Sequence, residues 1–154
     1  HKPDVLFLDE PTTGVDPVSR KEFWEMLKRL KAQGITVVVA TPYMDEAALC
    51  DRIALMQHGK ILSVDSPSNI TDRYPNLLYA VKADKMSALL KAVSGNQQIL
   101  SVYSFGAYAH VAFNKEQENM EPALKSYLEE KGLGSVEVKP VRASVEDCFI
   151  QLLK

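Results

Sequence analysis

Asp9 and Glu10 end the apolar run Val5-Leu6-Phe7-Leu8, and two adjacent carboxylates at that point are not core residues. The run suits a strand of a parallel sheet, buried on both faces. In open α/β sheets, ligands bind beyond the carboxyl ends of the strands, so the acid pair lies where a metal or a phosphate ligand would sit. A hard cation and a water nucleophile both need anionic oxygen there. Successive residues at a strand end point to opposite sides, which lets the two acids take different tasks. Pro11 follows and biases Glu10 toward extended backbone.

The elements that must position this pair are legible around it. Thr12-Thr13-Gly14-Val15-Asp16-Pro17 is a loop leading into a helix, with Asp16 as its cap and Pro17 at its first position. The spacing predicts a helix to about Lys31, ended by Gly34, with Phe23, Met26, Leu27 and Leu30 on one face and Arg20, Lys21, Lys28 and Arg29 mostly off it. Thr36-Val37-Val38-Val39-Ala40 reads as a second buried strand, so the segment is a β-α-β unit with parallel strands. Asp9, Glu10, Asp16 and the Thr41-Pro42-Tyr43 turn should therefore surround one crevice.

These residues carry a family resemblance. Leu6-Phe7-Leu8-Asp9-Glu10-Pro11 resembles the Walker B segment of ABC-type ATPases, and Gly14-Val15-Asp16-Pro17 resembles their D-loop. Thr41-Pro42-Tyr43-Met44-Asp45-Glu46-Ala47, with Cys50-Asp51-Arg52, resembles the region after their switch strand. Ile53-Ala54-Leu55-Met56 followed by His58-Gly59-Lys60-Ile61 resembles the closing hairpin of that nucleotide-binding domain. Asp16-Pro17 alone is only a helix start, and Met44–Ala47 alone is only an acidic first turn; their order carries the likeness. It covers residues 1–74. Ser144-Val145-Glu146-Asp147-Cys148-Phe149 resembles the end of the C-terminal extension on ATP-binding subunits of drug and lipid exporters.

The resemblance implies roles. Asp9 would hold Mg²⁺ through water, Glu10 would polarise the water attacking the γ-phosphate of ATP, and Asp16 would act across a dimer interface. It also implies partners: a membrane permease and a second ATP-binding subunit, identical or paralogous. The chain would then be cytoplasmic, held at the inner face of the cell membrane through the permease.

Two departures qualify this. The family has a histidine at the position of Pro42, which offers neither a titratable group nor a backbone donor. His1, His58 and His110 are placed elsewhere. Pro42 marks a slow or degenerate hydrolytic site, or one in which Glu10 and residues outside this chain suffice; alternatively it simply starts the next helix. The second departure is the absence of a G-x-x-x-x-G-K-[ST] cradle and of any Gly-Gly dipeptide. Backbone donors and the cradle lysine supply most triphosphate affinity, so these residues alone are expected to be inactive, as the C-terminal part of a longer ATPase. The competing function is a non-hydrolytic nucleotide- or partner-binding regulatory module.

The remaining sequence bounds the other possibilities. Residues 1–74 carry 9 basic and 11 acidic groups and residues 75–154 carry 9 of each, so neither part is a polycation suited to nucleic acid. No apolar run approaches the ~20 residues that span a bilayer. Cys50 and Cys148 have neither zinc nor disulfide spacing, which predicts two reduced thiols. After a boundary near Asp72–Asn76, Leu77–Lys82, Lys85–Val93, Ile99–Phe105, Tyr108–Phe113, Met120–Lys131 and Val136–Val141 read as β-α-β-β-α-β, a ferredoxin-like order, with a last helix capped by Ser144. The fold class expected is α/β: a partial P-loop NTPase parallel sheet over residues 1–74, then a small α+β ferredoxin-like domain over residues 75–154. Glu116, Glu118, Glu121, Glu129 and Glu130 read as a solvated helix face and its approach. Tyr103, Phe105, Tyr108 and Phe113 read as cross-strand packing rather than a binding surface. By family analogy the tail would regulate or stabilise dimerisation.

Overall fold

The computed structural model describes residues 3–117 and 119–153; His1 and Glu118 lie outside them. The chain is mixed α/β, with three small sheets among the described residues. Strand β1 (Val5–Asp9) pairs in parallel with β2 (Thr36–Ala40), and helix α1 (Pro17–Ala32) connects them. Asp16 caps α1 and Pro17 opens it, while Gly34 just beyond its end takes a φ of 91° that disfavours any residue with a Cβ.

Burial of β1 and β2 differs from the expectation. Both strands alternate half-buried and exposed residues, and Phe7 is 75% exposed. A two-stranded sheet has two faces and α1 lies against only one of them, so Leu6, Leu8, Val37 and Val39 gain cover while Val5, Phe7 and Val38 do not. The inward face of α1 is also rotated from the predicted one. It centres on buried Trp24 and Leu27, with Phe23 and Leu30 half-buried and Met26 exposed. Arg20 stands one turn before Trp24, on the same side, and is half-buried rather than directed away.

After β2 comes a single turn of helix, α2 (Met44–Ala47), capped by Tyr43. Pro42 precedes the cap, so it does not start the helix. Strands β3 (Ile53–Gln57) and β4 (Lys60–Asp65) form a hairpin. Its two connecting residues, His58 and Gly59, have φ of 48° and 73°, the twist that matches two-residue hairpins. Helix α3 (Pro67–Asp72) follows, capped by Ser66.

From Leu77 onward the order is β5 (Leu77–Lys82), α4 (Met86–Ser94), β6 (Ile99–Phe105), β7 (Tyr108–Phe113), α5 (Met120–Glu130), β8 (Glu137–Pro140) and α6 (Val145–Leu152). The four strands form one antiparallel sheet in the order β6-β7-β5-β8. One face packs on α4 and α5 through Val81, Leu89, Val93, Val111, Phe113, Leu124 and Leu128. The other face joins a second cluster in which Leu78, Ala112, Val145 and Cys148 meet Ile53, Leu55, Ile70 and Tyr74. The sheet therefore shares a core with the β3–β4 hairpin and α3. Of the four aromatics grouped in the sequence, Phe113 packs edge-on against Tyr79, 5.8 Å between centroids. Phe105 lies against His110, and Tyr108 faces Lys139. Both cysteines are free thiols.

Helix α6 is fastened by a buried carboxylate that the sequence reading did not single out. Asp147 accepts from Ser144 N at 2.8 Å and Ser144 Oγ at 2.6 Å, completing a capping box, and lies 2.8 Å from His110 Nδ1 on β7. Burial pushes this carboxyl up, but the bonds from His110 and Ser144 outweigh it and hold it below its ordinary value. A carboxyl depressed by folding stabilises above its unfolded pKa, and that contribution is lost as pH falls through the lower folded value. Asp147→Ala should cost about 2 kcal/mol at neutral pH. In urea melts the gap from wild type should narrow below about pH 4; an equal gap at pH 7 and pH 3 would rule this account out.

Candidate functional site

The parallel register runs from Val5 opposite Thr36 to Asp9 opposite Ala40, and Glu10 N adds one more ladder bond to Ala40 O at 2.8 Å. The loops leaving both strands therefore depart from one edge, which brings Asp9 and Glu10 beside the Thr41-Pro42-Tyr43 turn. Asp9, Glu10 and Pro42 are all exposed.

Glu10 is not extended. Its φ is 42°, a left-handed conformation that costs a non-glycine residue about 1–3 kcal/mol and persists only where the surroundings over-determine it. Two bonds do so here. The ladder bond to Ala40 fixes its N–H, and Thr13 N donates to its carbonyl at 3.2 Å, closing a Glu10–Thr13 turn. This long-range pairing overrides the local bias of Pro11. Thr13 Oγ1 donates to Glu10 Oε2 at 3.2 Å, steadying the side chain without burying it.

Asp16 Oδ1 accepts from Val18 N at 3.0 Å and Ser19 N at 3.1 Å. Hydrogen bonds from Ser19, side chain and backbone, and then from Val18 hold its carboxyl below the ordinary value. The side chain remains exposed at the end of the loop that begins at Glu10.

Beneath these exposed groups lies a polar cluster centred on Glu46, which is 1% exposed. Its Oε1 accepts from Thr12 Oγ1 at 2.6 Å and from Arg20 Nε at 3.0 Å; its Oε2 accepts from Thr41 Oγ1 at 2.7 Å. Arg20 also reaches Asp45 at 3.1 Å and lies over the Tyr43 ring at 4.7 Å. Burial pushes the Glu46 carboxyl up, but the Thr12 and Thr41 hydroxyls and the Arg20 charge outweigh it and hold it below its ordinary value. In the sequence Glu46 reads only as part of an acidic first turn. The available signal was Arg20, one turn ahead of Trp24 on the apolar side of α1, which required a buried anionic partner.

No protein-family model matches the chain. The probable multidrug ABC transporter ATP-binding protein YbhF of Escherichia coli is 47% identical over 76 residues, 49% of this chain and 13% of that protein. The daunorubicin/doxorubicin resistance ATP-binding protein DrrA of Streptomyces peucetius is 52% identical over 62 residues, 40% of this chain and 19% of that protein. The linearmycin resistance ATP-binding protein LnrL of Bacillus subtilis is 39% identical over 74 residues, 47% of this chain and 24% of that protein. Over about half its length this chain is similar to ABC transporter ATP-binding proteins. It spans less than a quarter of the length of each of these three relatives.

The mixed α/β architecture is compatible with a partial ATPase domain of that kind, and ATP binding is what the relatives' names state. The chemistry of the acids can be tested against Mg²⁺. Among the described residues no group of three or more His, Cys, Asp or Glu forms a metal cage, whereas Asp9 is a single exposed carboxylate at a strand end. That donor set fits Mg²⁺, which keeps several waters and takes its other ligands from phosphates. No helix among the described residues is long and apolar enough to cross a membrane.

Proposed function

We propose that residues 1–74 are the C-terminal part of an ABC ATPase domain, with the parallel sheet of a P-loop NTPase. Residues 75–154 form a ferredoxin-like accessory domain. The intact gene product hydrolyses ATP to power export through a membrane permease. It works as one of two ATP-binding subunits at the cytoplasmic face of the membrane. The observation that supports this best is Glu10: a carboxylate held in left-handed backbone at the carboxyl end of a parallel strand, facing solvent and steadied by Thr13. His58, Asn119 and Ser135 also take left-handed backbone, but Glu10 alone of these is an acid at the carboxyl end of a parallel strand, where ligands bind in α/β sheets.

In this reading Glu10 accepts a proton from, and orients, the attacking water. Asp9 would hold Mg²⁺ through water, and the cation would supply neutralisation of phosphate charge. Asp16, exposed at the start of α1, contacts the second subunit. Pro42 occupies the switch position without contributing a proton-transfer group, so Glu10 carries that task.

Pro42 also supports the second reading, a non-hydrolytic module that binds nucleotide or a partner. A Mg²⁺-dependent ATPase assay separates the two, run on the intact gene product and on residues 1–154 alone. Turnover by the intact protein with none by residues 1–154 is the expected result. Nucleotide binding by the intact protein without turnover would establish the second reading instead.

A further inference from the structure

We propose that Glu46 is a positioning residue that clamps the Glu10 loop to the Pro42 turn. The inference rests on the hydrolytic reading above and names a group of that site which does not itself touch the nucleotide.

Three separate segments converge on this one buried carboxylate, which is itself carried by a fourth. Thr12, which donates at 2.6 Å, sits inside the turn that holds Glu10 in its left-handed conformation. Thr41, which donates at 2.7 Å, immediately precedes Pro42, and its hydroxyl oxygen also accepts from Tyr43 N at 3.1 Å. Arg20 brings α1, whose capping residue is Asp16. Glu46 itself belongs to α2, a helix of 4 residues that is too short to be stable by its own hydrogen bonds.

Thr12 thus lies two residues from Glu10, Thr41 adjoins Pro42, and Arg20 lies one turn beyond Asp16. A carboxylate buried with both oxygens engaged admits few alternative arrangements, because displacing Thr41 leaves Oε2 without a donor and displacing Thr12 leaves Oε1 to Arg20 alone. Arg20 stacked on Tyr43 at 4.7 Å closes the same connection from the α1 side. The relative placement of the Glu10 loop and the switch turn is set by this network, and displacements of about 1 Å at a hydrolytic centre cost on the order of 10²-fold in rate.

The test uses the intact gene product with Glu46→Gln, Thr12→Val and Thr12→Ser, the last restoring the hydroxyl in case the first two unfold. Steady-state kinetics and amide hydrogen exchange are measured on each. Glu46→Gln and Thr12→Val should lower kcat by about 10- to 100-fold with little change in KM, and should speed exchange across residues 10–15 and 41–43 while the middle of α1 stays protected. Thr12→Ser should remain close to wild type. A fall in melting temperature alone, with kcat and loop exchange unchanged, would overturn the proposal. If the intact protein binds nucleotide without turnover, the hydrolytic reading has failed by itself, and exchange in the two loops still decides whether Glu46 is the clamp.

Discussion

Glu10→Gln in the intact gene product is expected to lower ATP turnover by about 10²- to 10⁴-fold, the range that a positioned general base contributes. The substitution is nearly isosteric, and glutamine keeps a carbonyl oxygen able to accept from Thr13 Oγ1, now 3.2 Å from Glu10 Oε2. The ladder bond to Ala40 and the turn bond from Thr13 both use backbone atoms, so they survive and hold residue 10 at the same φ. Only basicity is removed. Nucleotide affinity should therefore persist, and a discontinuous phosphate-release assay beside a nucleotide-binding titration reads the two quantities separately. Turnover equal to wild type would take the catalytic role away from Glu10. Parallel loss of binding would indicate a collapsed loop instead of a missing base.

The feature that made Glu10 conspicuous in the sequence was local: an apolar run stopped by two acids, followed by a loop with Asp16-Pro17 at its end. The cap, the helix start, the parallel pairing and the shared strand edge all follow from such short-range patterns. What escaped the reading depends on long-range partners. Glu46 takes its hydrogen bonds from residues 34, 26 and 5 positions away, and nothing in Met44-Asp45-Glu46-Ala47 distinguishes a buried carboxylate from a solvated one. The left-handed φ of Glu10 likewise comes from a bond to Ala40 on another strand, which outweighs the bias of the neighbouring proline. Exposure of Phe7 was invisible for a related reason, since an apolar strand pattern states what a residue prefers and not how many faces its sheet has covered.

In the C-terminal half the sequence was more informative because the sheet is completed within the described residues. Strand β7 is buried along its last three positions, with Val111 and Phe113 turned to one cluster and Ala112 to the other. Such continuous burial is what an inner strand of a sheet covered on both faces requires. The cover on the second face comes partly from Ile53, Leu55, Ile70 and Tyr74, so the hairpin and α3 are structural partners of the tail even though a Pro-Asn break separates them in sequence.

Phe113→Ala should be the most destabilising single change in the tail, at about 3–5 kcal/mol. Phe113 is fully buried and is the largest of the wholly enclosed side chains. It lies between Tyr79 and the helix residues Leu89, Val93, Leu124 and Leu128. Truncation leaves a void flanked by two helices and a central strand, a site with little freedom to collapse. Against a total stability of about 5–15 kcal/mol for a natural domain, the loss leaves the tail marginal. Its consequence reaches beyond the tail. Ala112, next to Phe113 on the same strand, packs with Ile53 and Ile70, so loosening β7 withdraws part of the second cluster as well. Urea unfolding followed by tryptophan fluorescence reads Trp24 in α1, while circular dichroism reads the whole chain. Phe113→Ala should shift the circular-dichroism transition to lower urea. The Trp24 transition should follow it if the shared core couples α1 to the tail through the hairpin and α2, and should stay behind if the β1–α1–β2 unit stands alone. A shift under 1 kcal/mol in the circular-dichroism transition would contradict the packing described for Phe113.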